Sequence, residues 1–293
     1  MKKIIIVFSI LWMTLAWGKV RIVTSITDMA DIAETIGGNN VSVTSIARGN
    51  QNPHYVEVMP SYMLKVRKAD FYLKIGMDLD LWSDQIIDGS RNRNIQVVDC
   101  SQNVHRLEVP SSKVDASQGD VHRMGNPHYW LDPANGIIIA ETIANALISI
   151  DPKHREEYEK NLNKFKSTIE EKIRIWNTEF ADLKGKKIIF YHNSWPYFSE
   201  SFGLDVRQFL EPKPGITPSP SHLDRLIRLI EQEHISVIAM EPYFSPKAPE
   251  FLKSKTGSHV IVLAQSVDAL PEADSYVKLF ESNLKKLQAV LGD

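Results

Sequence analysis

Residues 152–184 read PKHREEYEKNLNKFKSTIEEKIRIWNTEFADLK, and this stretch decides the fold. Its apolar residues Tyr158, Leu162, Phe165, Ile169, Ile173, Trp176 and Phe180 advance in steps of three and four. That is one stripe of a single helix, with Lys and Glu between. A helical hairpin or one half of a coiled coil are the alternatives. Neither Gly nor Pro interrupts residues 153–184, which argues against the hairpin. A helix of about 30 residues is about 45 Å long, enough to span two lobes.

Outward from this helix the period changes on both sides. Upstream, Val20 to Ser25, Val41 to Ile46, Phe71 to Ile75 and Ile95 to Asp99 read as strands. They alternate with helical patterns over Asp28 to Ile36, Ser61 to Lys68, and Leu81 to Ile87. Residues 101–127 read as a polar loop, and Pro133 opens a helix to Ile150. Downstream, Lys187 to Tyr191, Ser236 to Met240 and His259 to Ala264 read as strands. A helix begins near Pro196, another is capped by Ser221, and a last one runs from Asp274 to Leu291. Alternation of this kind predicts parallel sheets in an α/β fold. The 293 residues exceed what one core normally serves, so two lobes are expected. The predicted division is a signal peptide at 1–18, an N-terminal α/β lobe at 19–151, a linking helix at 152–184 and a C-terminal α/β lobe at 185–293.

The N-terminus reads as an export signal. Lys2 and Lys3 precede an apolar run from Ile4 to Trp17, and Ala16-Trp17-Gly18 suits cleavage after Gly18. The run is short for a membrane span, and an uncleaved anchor is the alternative. No Cys lies near the cleavage region, so a free periplasmic protein without a lipid anchor is expected. The composition is ordinary, 43% hydrophobic and 24% charged, with a formal net charge of −2. Nothing in that balance favours nucleic acid or an anionic membrane. The single Cys100 cannot form an internal disulfide; it reads as a buried filler rather than a thiolate ligand.

Three of the nine histidines stand apart. His54 lies in Gln-Asn-Pro-His-Tyr, His128 in Gly-Asn-Pro-His-Tyr-Trp, and His192 in Ile-Ile-Phe-Tyr-His-Asn-Ser-Trp. Each follows a strand or its turn. Proline restricts both itself and its predecessor, so the next side chain is aimed with little freedom. Aimed imidazoles suit a metal, whose ligands must meet about 2.0–2.1 Å from zinc. Three neutral imidazoles suit zinc, copper, iron or nickel better than magnesium or calcium. His154, His222, His234 and His259 read as exposed or capping residues, and His105 as a loop residue. His122, on the loop before His128, either helps to capture metal or is simply solvated.

These stretches resemble the cluster A-I solute-binding proteins of zinc and manganese ABC importers. The resemblance covers essentially the whole mature chain. Its motifs are Asn52-Pro53-His54-Tyr55 with Pro60-Ser61, then Lys68-Ala69-Asp70 and Gly76 to Trp82. Asn126 to Pro133, Tyr191 to Phe198 with Phe202-Gly203-Leu204, Tyr158 to Leu162, and Glu211 to Gly215 continue the series. The resemblance implies two (β/α) lobes joined by one rigid helix, with metal in the inter-lobe cleft. It implies His54, His128 and His192 as ligands. The family's fourth ligand is usually an Asp at the end of the last strand. Here that position holds Gln265, whose amide oxygen cancels none of the ion's charge. Gln265 as a weak ligand, a water, or Asp268 or Glu241 reaching in are the three outcomes; Gln265 is favoured. The His-rich loop of many zinc members is reduced here to His122.

The implied function is capture of a divalent transition metal, Zn²⁺ ahead of Mn²⁺, as a monomer. Delivery is to an ABC permease in the inner membrane. A zinc-dependent hydrolase with an open fourth position is one alternative, with Glu241 as the only obvious base. No His-Glu-x-x-His pair and no Gly-x-Ser-x-Gly elbow supports it. A metal-binding adhesin is the other.

Overall fold

The computed structural model describes residues 18–112, 119 and 122–292. The predicted signal segment therefore lies outside the described residues, apart from Gly18. The first lobe runs β1 (Val20–Thr24), α1 (Thr27–Gly37), β2 (Val41–Ser45), α2 (Pro60–Arg67), β3 (Phe71–Lys74), α3 (Trp82–Ser90), β4 (Gln96–Asp99) and α4 (Pro133–Ile150). The linking helix is α5 (Arg155–Glu179). The second lobe runs β5 (Lys187–Phe190), α6 (Pro196–Phe202), β6 (Asp205–Phe209), α7 (Pro220–Glu233), β7 (Val237–Met240), α8 (Lys247–Thr256), β8 (His259–Val262) and α9 (Tyr276–Leu291).

Each lobe holds a four-stranded sheet, ordered β2-β1-β3-β4 and β6-β5-β7-β8. Every pairing is parallel. Parallel strands need crossovers, and the helices between them cover the sheet faces. The central strands are accordingly apolar throughout: Val237, Ile238, Ala239 and Met240 of β7 are all buried. Four helices, α2, α4, α6 and α7, open on a proline, whose preset φ and missing N–H cost nothing in a first turn.

The α5 stripe is as predicted. Tyr158, Phe165, Ile169 and Trp176 are buried, with Leu162 and Ile173 half-buried between them. They pack on α1, α4 and α9, where the Trp176 and Phe280 rings lie 5.6 Å apart. Each such fully buried ring contributes roughly 1.5–3 kcal/mol. The continuous helix is shorter than expected, because short 3₁₀ turns at Pro152–His154 and Ala181–Leu183 flank it. Pro152 lacks the N–H needed deeper in a helix, so it tightens the entry instead.

Several local expectations shift. The helix α2 starts at Pro60, one residue before the expected Ser61, and ends at Arg67. Ser219 rather than Ser221 caps α7, its side chain accepting from the His222 N–H, because Pro220 takes the first helical position. The strand β6 and helix α8 carried no clear sequence signal. His222 is buried, with Nε2 3.2 Å from the Phe209 carbonyl, not exposed. By length and composition α4 could cross a membrane. Its Ile139, Ile143 and Leu147 instead pack in the core. Cys100 is fully buried, and burial first, with Asp99 and Asp80 nearby, pushes its thiol up, as suits a filler.

Candidate metal centre

In open parallel sheets ligands gather beyond the carboxyl ends of the strands. His54 follows β2, His128 lies between β4 and α4, His192 is two residues past β5, and Gln265 is three past β8. The repeated Asn-Pro-His is a local device. The Asn52 side-chain oxygen accepts the His54 N–H at 3.0 Å, and Asn126 accepts the His128 N–H at 3.1 Å. Each is a side-chain-closed turn over the proline. The asparagine therefore aims the imidazole as much as the proline does, a role the sequence reading missed.

The tertiary fold brings the three rings together. One ring nitrogen from each of His54, His128 and His192 lies within 4.8 Å of the others. His54 Nε2 and His128 Nε2 are 3.1 Å apart. Two nitrogens on a tetrahedral zinc at about 2.0–2.1 Å would stand about 3.3–3.4 Å apart. The spacing is thus that of a ligand edge. The site fits a divalent ion by donor type as well as by distance.

The outer nitrogens of His128 and His192 are spoken for. His128 Nδ1 is 2.9 Å from the Asn126 side-chain oxygen. The Asn126 amide nitrogen donates to the Asn193 carbonyl at 2.8 Å and to Glu108 at 3.0 Å. Both are acceptors, so they fix which end of the amide faces His128. His192 Nδ1 is 2.6 Å from Glu211, which also accepts the Gly215 N–H at 2.9 Å. Each Nδ1 therefore donates to an oxygen, which orients the ring about that bond. Burial first, and then neighbouring imidazoles, holds His54 and His128 well below the usual histidine range. Both are neutral at pH 7, the form that binds metal.

Gln265 is buried, but its side-chain oxygen accepts a hydrogen bond from Tyr243. Its backbone carbonyl accepts from Trp130 Nε1 at 2.9 Å, across the lobes. Its amide nitrogen is buried and has no hydrogen-bond partner among the described residues. Glu241 is fully buried, and its Oε1 accepts from Trp195 Nε1 at 2.9 Å. The cavity beside His128 and His192 is about 40 Å³, also lined by His122, Asn126 and Asn193. That is room for an ion, not for an organic ligand.

A family profile described as the periplasmic zinc-uptake complex component A, ZnuA, matches residues 22–290. This chain belongs to the ZnuA family. The manganese ABC transporter substrate-binding lipoprotein PsaA of Streptococcus pneumoniae is 24% identical over 281 residues, 92% of this chain and 88% of that protein. The zinc-binding lipoprotein AdcA of the same species is 22% identical over 279 residues, 92% of this chain and 56% of that protein. A crystal structure of ZnuA superposes with a TM-score of 0.82 at 26% identity, covering 94% of this chain and all of that one (100%). A periplasmic metal-binding protein of Candidatus Liberibacter asiaticus shares the fold, with a TM-score of 0.77 at 22% identity over 93% of this chain and 100% of that one.

Two residues that hold candidate ligands in this ZnuA-family chain escaped the sequence reading. Glu211 sat in a quoted motif without a role, because its partner His192 is 19 residues away. Tyr243, which holds Gln265, had no signal of its own.

Proposed function

We propose that this chain captures Zn²⁺ outside the cytoplasm and hands it to the permease of an ABC importer in the inner membrane. The observation that carries the reading is the meeting of three imidazoles from opposite sides of the linking helix within 4.8 Å. His54 and His128 come from the segment 19–151, His192 and Gln265 from the segment 185–293. The ion is the cargo, and the three histidines hold it. Gln265 adds a weak neutral oxygen contact through the lone pair that Tyr243 leaves. Relatives are named for manganese and for zinc. Neutral nitrogen donors without a carboxylate favour zinc, since manganese prefers harder oxygens.

An ion bound here ties the two lobes together. The seam is already stitched by the Asn126 to Asn193 bond, the Trp130 to Gln265 bond, and Thr27 Oγ1 to the Val267 carbonyl at 2.6 Å. Together with α5 this permits small tilts rather than wide hinge opening. The permease reads the loaded surface. Export by residues 1–18 without a lipid anchor, and action as a monomer, belong to the same proposal. The hydrolase alternative is disfavoured because Glu241 is removed from solvent and engaged by Trp195.

Calorimetry on His128→Ala tests the assignment. Zinc affinity should fall by orders of magnitude while the melting temperature of the metal-free protein holds. Unchanged binding would remove His128 from the site.

A further inference from the structure

We propose that Glu108 is a positioning residue for the metal centre. One of its carboxylate oxygens clamps the His128 loop of the first lobe to the His192 loop of the second, and so sets the spacing of ligands that come from opposite lobes. The proposal rests on the three-histidine reading above and deepens it. Glu108 Oε2 accepts the Asn126 side-chain N–H at 3.0 Å and the Asn193 side-chain N–H at 2.8 Å. Asn126 stands two residues before His128, and Asn193 directly follows His192. Glu108 lines the small cavity beside His128 and His192, and with Asn193 it also lines the groove outside.

The Asn126 amide is the link to the ligand. Its oxygen faces the backbone N–H and the Nδ1 of His128, at 3.1 and 2.9 Å. Its nitrogen donates one proton to Glu108 and the other to the Asn193 carbonyl. Both lone pairs and both protons are engaged, so the amide is not free to turn. Asn193 depends on Glu108 in its own way, because its side-chain oxygen has no hydrogen-bond partner among the described residues.

The backbone is bent to place this carboxylate. Glu108 has φ 53, in the left-handed region where a glutamate is strained. Its neighbour is pinned from the second lobe. Tyr197 Oη accepts the Leu107 N–H at 3.0 Å and donates to the Asn126 carbonyl at 2.9 Å. The Asn126 N–H donates in turn to the Leu107 carbonyl at 2.8 Å. A strained residue held in this way presents its side chain in one place. Charge acting through space is not the effect, since Glu108 is exposed and salt screens its field. Geometry is what it supplies, and ligands that must meet about 2.0–2.1 Å from zinc are sensitive to it.

The test uses calorimetric titration with Zn²⁺ and visible absorption of the Co²⁺ form. The variants are Glu108→Ala, Glu108→Gln, Asn126→Ala and the pair Glu108→Ala with Asn126→Ala, with His128→Ala as control. Glu108→Ala should weaken zinc about tenfold, the low end for an outer partner of a ligand. It should shift the cobalt bands while the melting temperature of the metal-free protein holds. Glu108→Gln should recover most of the affinity, because its amide oxygen can accept the same two bonds, though more weakly. Added to Asn126→Ala, Glu108→Ala should cost less than it does alone, since the link to His128 is already gone. The same loss in both backgrounds, or no recovery with glutamine, would show that Glu108 acts by charge alone and would overturn the clamp. Unchanged zinc affinity and cobalt spectrum in Glu108→Ala, with binding abolished in His128→Ala, would overturn the clamp and spare the trio. Unchanged binding in both variants would overturn the three-histidine reading and this proposal with it.

Discussion

His192 Nδ1 lies 2.6 Å from a Glu211 carboxylate oxygen, in a wall where both side chains are almost fully buried. The carboxylate orients the ring and makes its Nε2 a stronger donor. Glu211→Gln keeps the shape and removes the charge. Zinc affinity should drop about 10–100-fold. Equal affinity by calorimetry would show that Glu211 serves only the Gly215 turn.

Gln265→Asp restores a carboxylate where only a neutral amide stands. Its charge should tighten zinc binding and raise manganese binding more, because manganese favours oxygen. Competition titration of both metals checks this. No gain for either metal would mean that the side chain faces Tyr243 alone.

Gly49 lies against the second lobe. A Cβ there would stand 2.0 Å from the Val267 carbonyl oxygen, which is backbone and cannot move aside cheaply. Gly49→Ala should therefore wedge the seam beside Gln265. We expect a loss of about 1–3 kcal/mol in denaturant stability together with weaker zinc binding. A variant with wild-type stability would show that the lobes part without cost.

The depressed His54 and His128 groups set a pH window. An unfolded chain protonates them near pH 6.5, but the folded chain resists until lower pH. Between those limits the unfolded state binds more protons, so stability falls as pH falls. Their contribution is complete above about pH 6.5 and is lost below it toward the depressed values. Metal-free protein should lose stability on acidification faster than a His54→Ala, His128→Ala double variant. Parallel curves from denaturant melts at pH 7 and pH 5 would refute this. Zinc affinity should hold through about pH 6.5 and decline only as pH falls toward the depressed His54 and His128 values, where protons compete for the rings.

Trp176 tests the linking helix. It is buried against Phe280 and Phe202. Trp176→Ala should cost about 3–5 kcal/mol. Thermal melting should register the loss, with zinc stoichiometry unchanged.

Much of the fold was legible because its signals are local. A stripe from Tyr158 to Phe180 declares a helix by spacing alone. Apolar runs such as Val237 to Met240 declare buried strands. The ones that escaped lack such marks. β6 reads Asp-Val-Arg-Gln-Phe, is only partly buried at the sheet edge, and has no apolar run. α8 carries Pro249 in its first turn, where a proline is tolerated but obscures the pattern. At the site, Pro-His could be read because the proline acts on the next residue, and the asparagine's part, though within three residues, shows only in its hydrogen bonds.

The sequence by itself determined the two α/β halves, the helix between them, and three candidate imidazoles, two of them aimed by their own Asn-Pro turns. Only the tertiary structure decided that those rings converge, that Glu211 holds the outer nitrogen of His192, that Tyr243 occupies the Gln265 oxygen, and that His122 stands beside His54. The physical reason is range. Turn chemistry and helical period act over a few residues and are written in neighbouring letters. The distances between His54, His128 and His192 depend on how two separate sheets pack around one helix, and no short stretch of chain encodes that packing.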